Sequence, residues 1–165
     1  MKVIKAKTAG FCFGVKRAVD TVYKQVDTKC GQIYTYGPII HNEEVIKDMR
    51  DKGVIVLRSE EDLDMISQGT VIIRSHGVEK RIYEKIEQKG LRIVDATCPF
   101  VKKIHNIVSE KSGEGFHIII IGNPEHPEVV GIKGWAKDNV TVIQSAEDAE
   151  CFTAVSYTHL TLPTT

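Results

Sequence analysis

A chain of 165 residues, 42% of them apolar, is long enough to bury one substantial core or two smaller ones. Its 22 Lys and Arg residues balance 22 Asp and Glu residues, so no net charge draws the protein to nucleic acid or to a membrane, and any anion site must be local. The first residues lack the apolar run of a signal peptide, and the longest aliphatic run, Ile118–Ile121, is too short to span a bilayer. We therefore expect a cytoplasmic protein.

Strand-like and helix-like segments alternate along the chain. The pattern predicts strands at residues 2–7, 33–36, 54–57, 70–74, 92–95, 117–121 and 140–143. It predicts helices at residues 14–27, 42–52, 79–89, 99–111 and 127–136, with a short acidic helix beginning at Ser59. This alternation is typical of mainly parallel sheets flanked by helices, so the predicted fold class is α/β.

A second run of strands and helices begins near residue 95 and suggests a domain boundary. We expect a first α/β domain over residues 1–96 and a second, incomplete α/β domain over residues 97–152. The last 13 residues, 153–165, are rich in Thr and carry no Asp, Glu, Lys or Arg. We interpret them as a non-native or disordered tail.

Reactive side chains follow five of the predicted strands, where the chain turns toward the next helix. Cys12 and Cys98 follow the first and fifth strands, and His41, His76 and His126 follow the second, fourth and sixth. Ligands of parallel α/β sheets bind at this carboxyl edge. If the strands share one edge, two thiols and three imidazoles converge on one cleft.

A carboxylate joins this set, because Glu128 lies two residues after His126. Each residue also has a plain structural interpretation: a free cysteine often packs as a small apolar residue, a loop histidine is usually solvated, and a glutamate at a helix start complements the helix dipole. We interpret Cys30 and Cys151 as structural and His105 as a packed or surface histidine.

The residue types favour a particular chemistry. Helix N-termini bind phosphate, imidazoles donate hydrogen bonds to it, and thiolates near helix N-termini are good iron ligands. A carboxylate beside a reducible substrate can deliver a proton. The set therefore predicts an anionic phosphate ester held near a thiolate-bound metal centre. The sequence contains no dinucleotide or P-loop motif and no aromatic platform for nucleic acid.

Five segments, in order, resemble those of the 4-hydroxy-3-methylbut-2-enyl diphosphate reductase (LytB) family. They read GFCFGVKRA at 10–18, IHN at 40–42, RSHG at 74–77, DATCP at 95–99 and GNPEHPEV at 122–129. The resemblance covers residues 1 to about 152. It implies three α/β domains in a trefoil around a central cleft, of which we expect this chain to contain two.

The resemblance also implies an activity. Family members reduce 4-hydroxy-3-methylbut-2-enyl diphosphate to isopentenyl and dimethylallyl diphosphates, the last step of the non-mevalonate isoprenoid pathway, with electrons from a donor such as ferredoxin or flavodoxin. They use a [4Fe–4S] cluster on three cysteines, with one iron left open as a Lewis acid. The motif match assigns cluster binding to Cys12 and Cys98, diphosphate binding to His41, His76 and His126, and proton relay to Glu128.

Some family features are missing from the sequence. The third cysteine ligand, a Thr-Thr pair and a Ser-x-Asn motif lie in a later segment that we do not find here. We therefore interpret the chain as an amino-terminal fragment, inactive alone and unable to hold a stable cluster. The residues leave two alternatives open: a zinc hydrolase that uses Cys12, Cys98 and a histidine, and a non-enzymatic phosphate-binding or interaction module.

Overall fold

The computed structural model describes residues 2–28 and 31–152. A first helix, α1, precedes a parallel sheet with the strand order β2-β1-β3-β4. The elements of this part are α1 (Phe13–Thr28), β1 (Ile33–Tyr36), α2 (Glu43–Asp51), β2 (Ile55–Leu57), α3 (Glu60–Asp64), β3 (Thr70–Ile73), α4 (Lys80–Gln88) and β4 (Arg92–Asp95).

A second sheet contains two parallel strands, β5 and β6. Its elements are α5 (Pro99–Gly113), β5 (Ile118–Ile121), α6 (Pro127–Lys133), β6 (Val140–Ile143) and α7 (Ala146–Cys151). The predicted α/β class with parallel sheets is confirmed, and the division into domains at residue 96 stays a prediction. In the described part of the chain, no helix combines the length and the apolarity that crossing a bilayer requires.

Strand β3 lies at the centre of the first sheet, and all four of its residues are buried. On one face, Ile72 packs in a core with residues of α1 and α2, including Val22 and Met49. On the other face, Val71 and Ile73 pack with residues of α3 and α4. A continuous run of branched apolar residues is what a strand covered on both faces requires.

The predicted strand at residues 2–7 is wrong. The structure shows irregular backbone there, and Val3 and Ile4 are 81% and 80% exposed. A β-strand is stabilised by hydrogen bonds and side-chain contacts with a neighbouring strand. No described strand pairs with this segment, so its apolar alternation alone does not produce a strand.

The connections of the first sheet create a crevice. The β1–β2 crossover, through α2, lies on one face, whereas the β3–β4 crossover, through α4, lies on the other. The loops after the neighbouring strands β1 and β3 therefore leave the sheet in opposite directions. Such a switch point is where open parallel sheets bind ligands. His41 lies in the first of these loops and His76 in the second.

Ile72 should contribute strongly to the stability of the first sheet, because its side chain is fully buried at the central strand. We expect Ile72→Ala to lower the free energy of unfolding by about 3 kcal/mol, the usual cost of a large buried cavity. The matched control is Ile121→Ala, since Ile121 is 84% exposed and its truncation should cost less than about 0.5 kcal/mol. Urea denaturation compares the two variants, and equal losses would contradict this description of the core.

Candidate functional site

Three imidazoles meet at the crevice. The ring centroids of His41 and His76 are 4.7 Å apart, and those of His76 and His126 are 6.4 Å apart. His41 and His76 come from the two loops of the switch point, and His126 is the N-cap of α6 in the second part of the chain. The structure therefore brings together the three histidines that the sequence singled out.

The buried Ser75 connects the loops that carry His41, His76 and Cys98. Its N–H and its hydroxyl both donate to the carbonyl of Ile39, at 3.2 and 2.9 Å, in the loop of His41. Its own carbonyl accepts a hydrogen bond of 2.9 Å from the N–H of Cys98. Buried loop groups need such partners because no β-ladder satisfies them. One small residue thus fixes the spacing of three loops.

An aromatic pair supports the His76 loop from the other side. The imidazole of His105, on α5, is only 1% exposed and stacks on Trp135 at 5.2 Å and 18°. Burial lowers the pKa of His105 to about 4, so the ring is neutral at pH 7. Trp135 Nε1 donates to the carbonyl of Val78 at 2.9 Å. Both rings therefore lie beneath the backbone that follows His76. Of the two interpretations left open for His105, packed or surface, the structure shows the packed one.

The two thiol-bearing segments also meet. Cys98 is the half-buried N-cap of α5, and its Sγ lies 2.7 Å from the point where a Cβ on Gly14 would sit. Gly14 is in the first turn of α1, two residues after the exposed Cys12. The guanidinium of Arg17 donates to the carbonyls of Thr97 (2.8 Å) and Asp95 (3.2 Å). The N-termini of α1 and α5 are therefore joined.

This contact corrects part of the sequence argument. We expected Cys12 at the sheet edge because a strand would precede it, and that strand is absent. Instead, α1 packs its first turn against the start of α5, so that Gly14, two residues after Cys12, lies against Cys98. Cys151 ends α7 and is exposed, and Cys30 lies outside the described residues. Among residues 2–28 and 31–152, no group of three or more His, Cys, Asp or Glu side chains is arranged to hold a metal ion.

Glu128 lies in the first turn of α6, beside the histidines. Its backbone N–H donates to Nδ1 of His126 at 3.3 Å. A neutral His126 that accepts at Nδ1 carries its proton on Nε2, so Nε2–H is the donor that remains for a ligand. The side chain of Glu128 is half-buried, close to the same loop.

His76 has the most perturbed environment of the three. Burial lowers its pKa to about 4, and the neighbouring charges of His41, Arg74 and His126 act in the same direction. At pH 7 the ring is therefore neutral in the free protein. An anion placed among the three imidazoles would favour the protonated form of His76 and so act against this repulsion.

Ser75, Arg17 and Trp135 were missed by the sequence reasoning. None carries a residue-type signal for a site, since each acts through backbone carbonyls far away in the chain. His105 follows Cys98 by seven residues, two helical turns, so both lie on one side of α5. That spacing is the one signal that could have linked His105 to the site.

Comparison with known proteins identifies the family. The sequence profile described as LytB protein matches residues 3–165. The chain belongs to the LytB family. The match continues through residues 153–165, beyond the point where we expect the resemblance to end, and those residues lie outside the described part of the structure.

The relatives of this LytB chain are reductases. It is 48% identical over 151 residues to 4-hydroxy-3-methylbut-2-enyl diphosphate reductase of Caldanaerobacter subterraneus subsp. tengcongensis, an alignment that covers 91% of this chain and 52% of the relative. Identity to the Clostridioides difficile enzyme of that name is 45%, with 91% of this chain and 53% of the relative covered. The chain thus spans about half the length of the curated relatives it matches.

Solved structures agree with this family. The E-1-hydroxy-2-methyl-but-2-enyl-4-diphosphate reductase of Plasmodium falciparum superposes with a TM-score of 0.83 at 32% identity, over 90% of this chain and 46% of that chain. A second solved (E)-4-hydroxy-3-methyl-but-2-enyl diphosphate reductase gives a TM-score of 0.75 at 39% identity, over 88% of this chain and 52% of that chain. The LytB chain therefore has the fold of the corresponding half of these enzymes.

Gly77 should not tolerate a side chain, because a Cβ there would overlap Cε1 of His105. Gly90 is a matched control: its φ of 68° is close to the 72° of Gly77, but its Cβ would meet nothing within 4 Å. We expect Gly90→Ala to cost about 1 kcal/mol of unfolding free energy from backbone strain. Gly77→Ala should cost about 1–3 kcal/mol more, from overpacking.

A double-mutant cycle separates the cost of backbone strain from the cost of overpacking against His105. His105→Ala added to Gly77→Ala should recover part of the extra loss, whereas added to Gly90→Ala it should not. Equal losses for the two glycine variants in urea denaturation would show that His105 does not press on the His76 loop.

Proposed function

We propose that the protein to which this chain belongs is an iron–sulfur reductase that converts 4-hydroxy-3-methylbut-2-enyl diphosphate to isopentenyl and dimethylallyl diphosphates. The observation that carries this proposal is the meeting of three imidazoles beside two thiol-bearing helix N-termini. Membership of the LytB family supports it, because the relatives that this chain matches carry the name of this reductase. The ferredoxin or flavodoxin donor and the cytoplasmic location stay predictions.

His41, His76 and His126 would hold the diphosphate. Their rings lie within 6.4 Å of a neighbouring ring, a spacing that a diphosphate with several oxygens can bridge. His126 offers Nε2–H, because Nδ1 is occupied by the N–H of Glu128. When His76 takes up a proton it adds a charge-assisted hydrogen bond, which is stronger than a neutral one.

Glu128 would move the proton that the loss of a hydroxyl group requires. It is in the first helical turn after His126, so its carboxyl group can face a ligand that the histidines hold. A carboxyl group within reach of a bound substrate can donate a proton to a departing oxygen.

Cys12 and Cys98 would hold a [4Fe–4S] cluster together with a third thiolate. Both precede long helices, α1 and α5, and the contact of Cys98 Sγ with Gly14 brings the two segments together. Helix N-termini stabilise thiolates, so the donor set suits iron. When bound, such a cluster would pass electrons from the external donor to the substrate one at a time and would offer a Lewis-acid iron.

A chimera tests this function. This chain is joined to the carboxyl-terminal half of the Caldanaerobacter reductase, purified without oxygen and assayed for reduction of the substrate. We expect a brown protein with acid-labile sulfide and activity. Cys98→Ser should lose both cluster and turnover, because a thiolate ligand is gone, whereas Glu128→Gln should keep the cluster and lose turnover.

Cys151→Ser is the matched control, since Cys151 is exposed at the end of α7 and should be dispensable. A colourless, zinc-containing chimera would instead favour the hydrolase alternative. Unchanged metal content and activity in the Cys12→Ser and Cys98→Ser variants would favour a binding module. Full turnover by Glu128→Gln would remove the proton-transfer role.

Diphosphate binding by this chain should depend on pH through His76. Its pKa of about 4 in the free protein should rise when an anion binds, so binding takes up a proton. The affinity should therefore increase as the pH falls from 7 toward 5. Isothermal titration with inorganic pyrophosphate, in buffers of different ionisation enthalpy, measures both affinity and proton uptake.

His76→Phe is the matched comparison, because pyrophosphate itself titrates in this range and the difference between the two proteins cancels that contribution. We expect His76→Phe to bind about 1–3 kcal/mol more weakly and to lose the extra proton uptake. Identical affinity and proton uptake in the two proteins would show that His76 does not contact the anion.

A further inference from the structure

A polar cavity, separate from the histidine cluster, lies at the carboxyl edge of the first sheet. Its volume is about 180 Å³, and it is bounded by the ends of β1, β2 and β3 and by parts of α4 and α6. Its polar lining consists of Tyr36, Arg58, Arg74 and Glu79. Among the described residues that line it, none of the three histidines appears, so this cavity is distinct from the histidine cluster.

Arg74 places a positive charge in the cavity that no described carboxylate neutralises. The side chain is half-buried, and burial lowers the pKa of its guanidinium. Its Nε donates to the carbonyl of Gly77 at 3.3 Å, and within the described part of the chain no carboxylate lies within 4 Å of it. The Nη groups therefore keep donors free. A desolvated charge of this kind is unfavourable unless something pairs with it.

Two further donors line the same cavity. Arg58 is exposed and, like Arg74, forms no ion pair with a described residue. The Tyr36 hydroxyl has no hydrogen-bond partner among the described residues, and burial raises its pKa, so it stays a donor. The carboxylate of Glu79 opposes an anion, but its Oε2 accepts from Arg81 Nη2 at 2.7 Å. The lining as a whole is positive.

We propose that this cavity binds one tetrahedral oxyanion, inorganic phosphate or the phosphate of a small monoester, between Arg58 and Arg74. Guanidinium groups match the geometry of phosphate oxygens through paired donors. A volume of about 180 Å³ accepts a phosphate group and excludes a nucleotide, whose sites are larger. The position also fits, because parallel sheets bind ligands at this edge.

Nuclear magnetic resonance of the full 165-residue chain tests the site directly, because the Nε–Hε signals of the arginines are separate from the histidine ring signals. Inorganic phosphate, and in a second arm methyl phosphate, is added at constant ionic strength, which keeps general screening fixed. We expect saturable shifts of the Arg74 and Arg58 signals. Binding of phosphate alone assigns the free ion, and equal binding of methyl phosphate extends the site to monoesters.

The variants make the result specific. Arg58→Gln combined with Tyr36→Phe should weaken phosphate binding, read at Arg74, by about tenfold or more, the effect of losing a charge-assisted hydrogen bond. Arg58 and Tyr36 are substituted instead of Arg74, because Arg74 also packs against Gly37, where a Cβ would lie 2.7 Å from its Nη1. Removing Arg74 could therefore disturb the fold as well as the site. The matched control, Arg92→Gln, removes an exposed arginine at the opposite edge of the sheet and should change nothing.

Three results would overturn the proposal: arginine shifts that do not saturate, shifts confined to the histidine rings, or an equal weakening by Arg92→Gln. The proposal does not depend on the reductase function. The histidine signals report binding at the proposed diphosphate site separately. An absence of binding at the arginines therefore says nothing against the histidine site, and the reverse also holds.

Discussion

The geometry of the site depends on how buried loop backbone is satisfied at the edge of a parallel sheet. Beyond the last ladder hydrogen bond, the loops after β1, β3 and β4 have polar groups that are shielded from water and need partners. Ser75 provides them: it donates twice to Ile39 and accepts once from Cys98. Because these bonds lie inside the protein, they hold the loops of His41, His76 and Cys98 in fixed relative positions, and the rings of His41 and His76 then lie 4.7 Å apart.

Much of the fold followed from local patterns. The central strand is a run of branched apolar residues. Two helix starts carry capping side chains, and the structure shows Asn42 accepting from the N–H of Val45 and Ser59 from the N–H of Asp62. The strand expected at residues 2–7 has the same kind of pattern but no described neighbour to pair with. A strand is a property of two segments, so a single segment cannot establish it.

The positions of the histidines were predictable, because ligands of parallel sheets bind at the carboxyl ends of the strands and the order of strands and loops can be read from the sequence. The residues that hold the histidine loops in place were not predictable from the sequence. The bond from Trp135 to Val78 joins residues 57 positions apart, and the close approach of Gly77 to His105 requires the absence of a side chain. Glycines and backbone carbonyls give no chemical signal in a sequence, so contacts made through them become visible only in three dimensions.

The placement of His126 has a thermodynamic consequence. It comes from the second part of the chain, whereas His41 and His76 come from the loops of the first sheet. Gly131 of α6 is so close to the His76 loop that a Cβ on it would lie 3.6 Å from backbone atoms of His76 and Gly77. An anion that contacts all three rings can bind only when both parts are folded and docked. By mass action, binding would therefore stabilise the folded state of both parts at once. The two parts should then unfold more cooperatively when the site is occupied than when it is empty.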